Sequence, residues 1–206
     1  LVDEIVKLND DEHIHGVLIF RPLPSHIDER VVCEVLAPEK DVDGITAGSM
    51  AGVFMDCDTG FPPCTAEACM ELLEHYGCEL EGKRMAVIGR SLVIGRPVAM
   101  MSMRKNATVT ICHSRTREED LRSIASTADI VIAAVGKSRM IKKDILGKNQ
   151  IIVDVGINVD DDGRMCGDVD FDNAATAAAA ITPVPGGVGS VTTAVLMKHV
   201  VEAAEK

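Results

Sequence analysis

The sequence predicts an α/β fold built on a parallel, doubly wound sheet. From residue 65 onward, short apolar runs of strand length alternate with segments of helical periodicity. The runs are apolar throughout, which is typical of parallel strands that are covered on both faces. Strands and helices that alternate in this way form right-handed crossovers, so we expect one sheet with helices on both sides.

The regular part of the chain contains four predicted strands and three helices. We expect strands over 84–89, 107–112, 129–136 and 150–158. Helices are expected over 65–77, 96–106 and 117–127. Thr65 and Gly77 would cap the first helix, and Pro97 suits the first turn of the second.

The flanking segments are less regular. We expect helices over 2–9, 27–36, 172–180 and 191–206, a buried strand over 16–20, and an irregular stretch over 37–64. This pattern indicates a Rossmann-like unit over about 65–182. The segments 1–64 and 183–206 would join into a second, smaller α/β lobe.

Composition narrows the possible functions. Hydrophobic residues make up 47% of the 206 residues, enough for a core. A net charge of −11 and 2% aromatic residues argue against nucleic acid as a partner. Seven cysteines without a C-x-x-C pair indicate reduced thiols in the cytoplasm and no metal site. No apolar run is long enough to predict a membrane span.

The stretch AVIGRSLVIGRP (86–97) is the first candidate binding site. Gly89 ends a predicted strand, and Gly95 stands just before a predicted helix. Glycines let the backbone approach a pyrophosphate, and amide groups at a helix start favour an anion. The alternative is a tight strand-to-helix turn that binds no ligand, and spacing alone leaves both open.

The end of the next strand bears on the kind of dinucleotide. A fold that binds NAD usually places a carboxylate there for the ribose hydroxyl groups. Here Ser114 and Arg115 follow the strand, and no carboxylate appears until Glu118. Together with Arg90, these donors suit a 2′-phosphate, so we predict NADP as the cofactor. Arg115 by itself could equally be a solvated surface residue.

Other loops at the carboxyl ends of strands are also candidates. Gly136 and the segment 152–158 would contact a cofactor or serve only as loops. In KDVDG (40–44), Asp41 and Asp43 could be acid–base groups, metal ligands or turn formers. TPVPGGVGSVTTA (182–194) could line a cleft or act as a hinge between domains.

Several segments together resemble the bifunctional methylenetetrahydrofolate dehydrogenase/cyclohydrolase family, the FolD type. They occur in the family's order, and they are PEKDVDGIT (38–46), PPCTAEA (62–68), VIGRSLVIGRPVA (87–99), NATVTICHSRT (106–116), ADIVIAAVGK (128–137), VDVGIN (153–158), GDVDF (167–171) and ITPVPGGVGSVT (181–192). The resemblance covers nearly the whole chain. It implies an enzyme that oxidises 5,10-methylenetetrahydrofolate with NADP and then hydrolyses the methenyl product to 10-formyltetrahydrofolate.

The resemblance also implies roles for single residues. Asp43 would anchor the pterin ring and is the candidate catalytic residue. The candidate cofactor contacts are Gly89, Arg90, Ser91, Gly95, Ser114, Arg115, Gly136 and Ile157. The candidate contacts to tetrahydrofolate derivatives are Phe20, Pro22, Asp43, Gly186, Gly187, Val188, Gly189 and Thr192. The family further implies a homodimer formed through the cofactor domain.

The sequence departs from the family pattern in three places. The family's V-Q-L-P-L-P reads IFRPLP here, so Phe20 replaces a glutamine that lies near the catalytic lysine in the family. The family's P-G-G-V-G-P-M-T has Ser190 and Val191 in place of its second proline and its methionine. The family's catalytic Tyr-x-x-x-Lys is expected upstream of Leu1, since the single tyrosine, Tyr76, is followed four residues later by Leu80. A non-catalytic module that binds NADP or folate is therefore the alternative function.

Overall fold

The computed structural model describes residues 1–206 and contains a five-stranded parallel sheet. Its strands are β1 (Arg84–Ile88), β2 (Thr108–Cys112), β3 (Ile130–Ala133), β4 (Ile151–Asp154) and β7 (Ala180–Ile181). They lie in the order β2-β1-β3-β4-β7. A separate two-stranded antiparallel hairpin is formed by β5 (Asn158–Val159) and β6 (Met165–Cys166). The predicted Rossmann-like fold class is confirmed.

Eight helices surround the sheets. They are α1 (Val2–Asp10), α2 (Glu29–Val35), α3 (Ala47–Met55), α4 (Cys64–His75), α5 (Gly95–Arg104), α6 (Glu118–Thr127), α7 (Phe171–Ala174) and α8 (Val188–Glu205). Two short 3₁₀ turns lie at Pro38–Lys40 and Lys143–Ile145. None of the helices is both long and apolar enough to cross a membrane.

The central strands are buried on both faces. Alternate side chains such as Val87 and Ile132 pack in a cluster with α4, α5 and α8. Their neighbours Ala86 and Val131 point to the other face, towards α6 and α7. The two-sided burial explains the continuous apolar runs in the sequence.

The chain reverses its direction of travel across the sheet at β1. From β1 it crosses to β2 on one side, and then returns to β3 on the other side. Ligands of open α/β sheets bind beyond the carboxyl ends of the strands at such a point. The loops that follow β1 and β3 therefore mark the expected site.

The amino-terminal part has its own small core around Ile5, Val17, Val32 and Leu36. Helix α8 contacts both parts of the molecule, since Val188 and Val195 belong to the core of the sheet and Ala203 packs with Val42 and Phe61. The division into a unit over 65–182 and a lobe formed by 1–64 and 183–206 stays a prediction.

Four predictions about local structure are wrong. The segment 16–20 is not a strand, because only Val17 pairs, in a single bridge to Asp41, and Leu18 and Phe20 are exposed. The stretch 37–64 is not irregular throughout, because α3 begins after Thr46, whose Oγ1 accepts a hydrogen bond from the Ser49 amide at 3.1 Å. Thr46 is a typical N-cap, but the glycines of AGSMAG obscured the helix.

The other two errors concern helix ends. Helix α4 begins at Cys64, one residue before Thr65, with Pro63 at the N-cap position. The alanine-rich segment 172–180 is helical only as far as Ala174, and Ala180 pairs with Ile151 in β7. Pairing with a neighbouring strand has outweighed the helix propensity of alanine there. The β5–β6 hairpin was not predicted.

Candidate functional site

The turn after β1 is shaped by two glycines in close backbone contact. Gly89 has a φ of +138°, and a Cβ atom there would collide with the carbonyl oxygen of Ala134 in the loop after β3. A Cβ atom at Gly95 would collide with the backbone of Gly89. Ser91 Oγ accepts a hydrogen bond from the Ile94 amide at 3.1 Å, which holds the turn ahead of α5. The turn therefore exposes backbone groups without side chains at the point where the chain reverses its direction across the sheet.

The turn after β2 starts beside it, since the Gly89 amide donates to the Cys112 carbonyl at 2.9 Å. Within this second turn the His113 amide donates to Thr116 Oγ1 and the Arg115 amide to His113 Nδ1. Ser114 and Arg115 are left exposed. Neither Arg90 nor Arg115 belongs to any ion pair of the structure. Both guanidinium groups are thus available to an anionic ligand, which fits a 2′-phosphate.

Asp168 organises the loop after β3. Its carboxylate accepts hydrogen bonds from the consecutive amides of Val135, Gly136 and Lys137 and from Asn158 Nδ2 at 2.9 Å. Asp168 is fully buried. One side chain therefore fixes both the loop that carries Gly136 and the segment that carries Ile157.

Asp154, at the end of β4, also fixes nearby backbone through its carboxylate. Its carboxylate accepts hydrogen bonds from the amides of Gly156 and Asp168 at 3.0 Å and of Val169 at 2.9 Å. A Cβ atom at Gly156 would collide with Asp168, and one at Gly167 with Asp154. Burial raises the pKa of Asp154, and its three amide donors partly offset that effect.

A cavity of about 350 Å³ lies between the end of β4 and the start of α8. It is lined by Asp154, Gly156 and Ile157 on one side and by Pro185 to Gly189 on the other. Gly189 faces Ile157, whose Cδ1 lies 3.8 Å from the place where a Cβ atom would stand. The predicted nicotinamide contact and the PGGVG loop therefore border the same space.

The two carboxylates of KDVDG have different surroundings. Asp41 is fully buried and accepts hydrogen bonds from the Ile45 amide at 3.0 Å, the Thr46 amide at 2.7 Å and Ser49 Oγ at 2.7 Å. It is the turn former among the alternatives considered for this motif. Asp43 is half-buried, with a side chain that is 27% exposed, and accepts no hydrogen bond from any nitrogen or hydroxyl group of the protein.

Asp43 lines a cavity of about 190 Å³ with Arg21, Pro63, Leu92 and Val93. Leu92 and Val93 belong to the turn after β1, so this cavity joins the KDVDG loop to the predicted phosphate-binding turn. Burial raises the pKa of Asp43, whereas the nearby Cys64 thiol and the Arg21 guanidinium act in the opposite direction.

Helix α8 anchors the KDVDG loop through His199. This buried ring contacts the Val42 carbonyl through Nδ1 and Glu67 Oε2 through Nε2, both at 2.8 Å. Both partners are acceptors, so these contacts favour the imidazolium form, in which both ring nitrogens donate. Burial opposes the charge, but the hydrogen bonds to Glu67 and Val42 raise the pKa of His199 above its usual value.

Some predicted contacts lie outside these cavities. Phe20 is 84% exposed and Pro22 is exposed as well, although both flank Arg21. Thr192 Oγ1 donates to the Val188 carbonyl at 3.0 Å and lines neither of the two cavities described above. Their roles in binding stay predictions, as do those of the other site residues.

Comparison with known proteins identifies the family. The model of the tetrahydrofolate dehydrogenase/cyclohydrolase NAD(P)-binding domain matches residues 63–206, and the model of the catalytic domain of the same family matches residues 1–43. The bifunctional protein FolD of Carboxydothermus hydrogenoformans is 53% identical over 98% of this chain and 70% of its own length. The chain belongs to the tetrahydrofolate dehydrogenase/cyclohydrolase family.

Solved structures of FolD proteins share its fold. The FolD enzyme of Campylobacter jejuni superposes with a TM-score of 0.96 at 39% identity, over 99% of this chain and 72% of that one. The Trypanosoma brucei FolD enzyme, solved with NADP and an inhibitor, gives a TM-score of 0.92 at 37% identity over 99% of this chain and 71% of that one. The resemblance noted in the sequence is confirmed.

Four residues of the site were missed in the sequence of this FolD-type chain. Asp154 and Asp168 were given no role, although an acidic residue at the end of a buried strand, as Asp154 is, is a usable signal. Arg21 was given no role, although its neighbours Phe20 and Pro22 were. His199 had no local signal at all, because its partners Val42 and Glu67 are more than 130 residues away.

Proposed function

We propose that this protein oxidises 5,10-methylenetetrahydrofolate to the methenyl compound with NADP and hydrolyses that product to 10-formyltetrahydrofolate. Membership of the FolD family supports the reaction. The observation that carries the proposal is Asp43. Unlike Asp41, it accepts no hydrogen bond from a nitrogen or hydroxyl group of the protein, and it opens into the same cavity as Leu92 and Val93.

The folate side of the cleft suits a flat ring with adjacent donors. A carboxylate that is not bonded to nitrogen or hydroxyl groups of the protein can accept two parallel hydrogen bonds from a ring N–H and an amino group. Asp43 would orient the pterin in this way. The PGGVG loop, Gly186 to Gly189, exposes backbone that would lie along the cleft wall.

The cofactor side suits a dinucleotide phosphate. Gly89, Ser91 and Gly95 would hold the pyrophosphate, with Arg90, Ser114 and Arg115 around the 2′-phosphate. Gly136 and Ile157 would approach the nicotinamide end. NADP supplies the hydride acceptor when it is bound, and the residues of the chain contribute orientation and the exclusion of water.

The hydrolysis step requires proton transfer to and from water. The family resemblance assigns this work to the lysine of Tyr-x-x-x-Lys, a motif that does not occur in residues 1–206. For this step the proposal therefore rests on the family, whereas for the oxidation it also rests on the cleft.

Replacing Asp43 tests the proposal directly. We expect the wild type to form NADPH from NADP and 5,10-methylenetetrahydrofolate, and Asp43→Asn to lower kcat/KM for the folate at least tenfold, since it exchanges one acceptor for a donor. Asp172→Asn, an exposed position on α7, should leave the rate unchanged. Absence of NADPH formation by the wild type, or equal rates for both variants, would contradict the proposal.

We also propose a homodimer in the cytoplasm, formed through the cofactor domain. The β5–β6 hairpin supports this assembly, because Val159 is 69% exposed and Met165 50% exposed on a short antiparallel ribbon. All seven cysteines are free, which supports a reducing compartment. Sedimentation should give twice the chain mass, and Val159→Lys should shift the protein towards monomer; a monomeric wild type would refute the dimer.

A further inference from the structure

Arg21 lies between two carboxylates at the edge of the folate cavity. Its Nη1 is 3.2 Å from Glu29 Oε1, and its Nη2 is 3.7 Å from Asp43 Oδ2. The guanidinium side chain is only 23% exposed. The family motif V-Q-L-P-L-P has leucine at this position, so the ion pair with Asp43 is a feature of this chain and not of the motif.

The two contacts of Arg21 differ in kind. The contact with Glu29 is a hydrogen bond, and it fixes the guanidinium on α2. The separation from Asp43 is too long for a hydrogen bond, so the charge acts on Asp43 without occupying its oxygens. Arg21 therefore blocks neither oxygen of Asp43 from a ligand.

Of the cations around Asp43, Arg21 lowers the pKa of that carboxyl group most. Asp41 on the same loop is a carboxylate, and Cys64 at the start of α4 is a buried thiol whose pKa lies far above its usual value because of burial and the Asp43 charge. His199 on α8 bonds Val42 and Glu67, and it lowers the pKa of Asp43 as Arg21 does, but less strongly. Arg30 on α2 lines the same cavity, but its guanidinium pairs with Asp28 at 3.0 Å.

We infer that Arg21, fixed by Glu29, is a positioning residue that keeps the Asp43 carboxylate charged and aimed at the folate ring. This inference rests on the proposed function, in which Asp43 anchors the pterin ring, and it identifies Arg21 as the residue that keeps Asp43 ready to bind. Without Arg21, burial and Asp41 would favour the protonated form of Asp43. A protonated carboxyl group offers one acceptor fewer, so folate binding would weaken as the pH falls.

Two variants separate the effect of the Arg21 charge from the effect of the Arg21 shape. Arg21→Leu installs the residue of the family motif, and Arg21→Lys keeps the positive charge. Arg122→Leu is the matched control, because Arg122 also lies between two carboxylates, Glu118 at 2.9 Å and Asp144 at 2.6 Å, but on α6. NMR titration of the Asp43 carboxyl carbon in the ligand-free protein measures the charge of that group directly. The pH dependence of KM for 5,10-methylenetetrahydrofolate measures how much folate binding depends on that charge.

We expect Arg21→Leu to move the Asp43 titration to higher pH and to raise the folate KM roughly tenfold at the acidic end of the profile, with a smaller change in kcat. Arg21→Lys should restore both, and Arg122→Leu should change neither. An Asp43 titration that is unmoved by Arg21→Leu overturns the inference, whatever the activity. A wild type that forms no NADPH overturns the proposed function instead, and the titration still decides whether Arg21 controls the charge of Asp43.

Discussion

The two sides of the proposed cleft are stabilised by different kinds of contact. On the cofactor side, Asp154 and Asp168 are buried among backbone amides and hold the loops after β3 and β4 in one arrangement. On the folate side, Asp43 accepts no hydrogen bond from a nitrogen or hydroxyl group of the protein, and its loop is anchored by the contact between Val42 and His199 of α8. The cofactor side is thus fixed by contacts near the sheet, and the folate side by a contact between distant parts of the chain.

This difference has a consequence for substitutions. A change on the cofactor side should disturb the loops themselves, because the carboxylates that hold them have no substitute acceptors. A change on the folate side should act through charge, because Arg21 pairs with Glu29 and Asp43, and His199 pairs with Glu67. Four substitutions, from the largest expected effect to the smallest, test this contrast.

Asp168→Asn should have the largest effect. The amide replaces one acceptor oxygen by a donor that faces backbone amides, so we expect a loss of about 4 kcal/mol in the free energy of unfolding. NADP affinity should fall with it, because the Gly136 loop loses its anchor. Urea unfolding and calorimetric NADP titration measure the two effects. Asp172→Asn is the control, and a stability equal to that of the wild type would show that the loops are held by other contacts.

His199→Gln should cost roughly 3 kcal/mol, the usual range for removing one partner of a buried pair. The pKa of His199 is raised in the folded state, so its contribution is fully present below the unfolded pKa of about 6.5 and is lost as the pH rises through the folded value. The stability difference between wild type and variant should therefore shrink from pH 6 towards alkaline pH. Exposed His75→Gln should show no such trend, and a difference that is independent of pH would contradict the imidazolium.

Gly89→Ala should be less destabilising but should abolish cofactor binding. The added Cβ atom meets the Ala134 carbonyl at a φ of +138°, so we expect a loss of about 2 kcal/mol beyond that of Gly163→Ala. Gly163 also has a positive φ, of +77°, but has open space around it. Thermal unfolding and NADP titration compare the two variants, and equal effects would show that the close approach at Gly89 is unimportant.

Arg90→Ala should have the smallest effect, and a selective one. We expect NADP affinity to fall roughly tenfold and NAD affinity to change little, because the guanidinium would contact only the 2′-phosphate. Exposed Arg164 has no ion pair and provides the control Arg164→Ala. Equal losses for both cofactors would refute the assignment of Arg90 to the 2′-phosphate.

The sequence predicted the sheet well and the cleft only partly. Four of the five strands of the parallel sheet were found because burial on both faces leaves a continuous apolar run, as in RMAVI and IVIA, whereas β7 was mistaken for the end of a helix. GVLIF shows the limit of that signal, since an apolar run becomes a strand only if a neighbour pairs with it. Asp43 was found through its motif, but its freedom from hydrogen bonds could not be read there, and the contacts of Arg21 and His199 depend on how distant segments meet.

The most direct test of the account is whether both ligands meet in the one cleft that joins Asp43 to the turn after β1. The measurement is isotope transfer from 5,10-methylenetetrahydrofolate that carries deuterium on its methylene carbon, with NADP as the acceptor and mass spectrometry of the NADPH formed. The account predicts that deuterium appears in NADPH, and that Asp43→Asn slows its appearance. NADPH that forms without deuterium, or no NADPH at all, would contradict it.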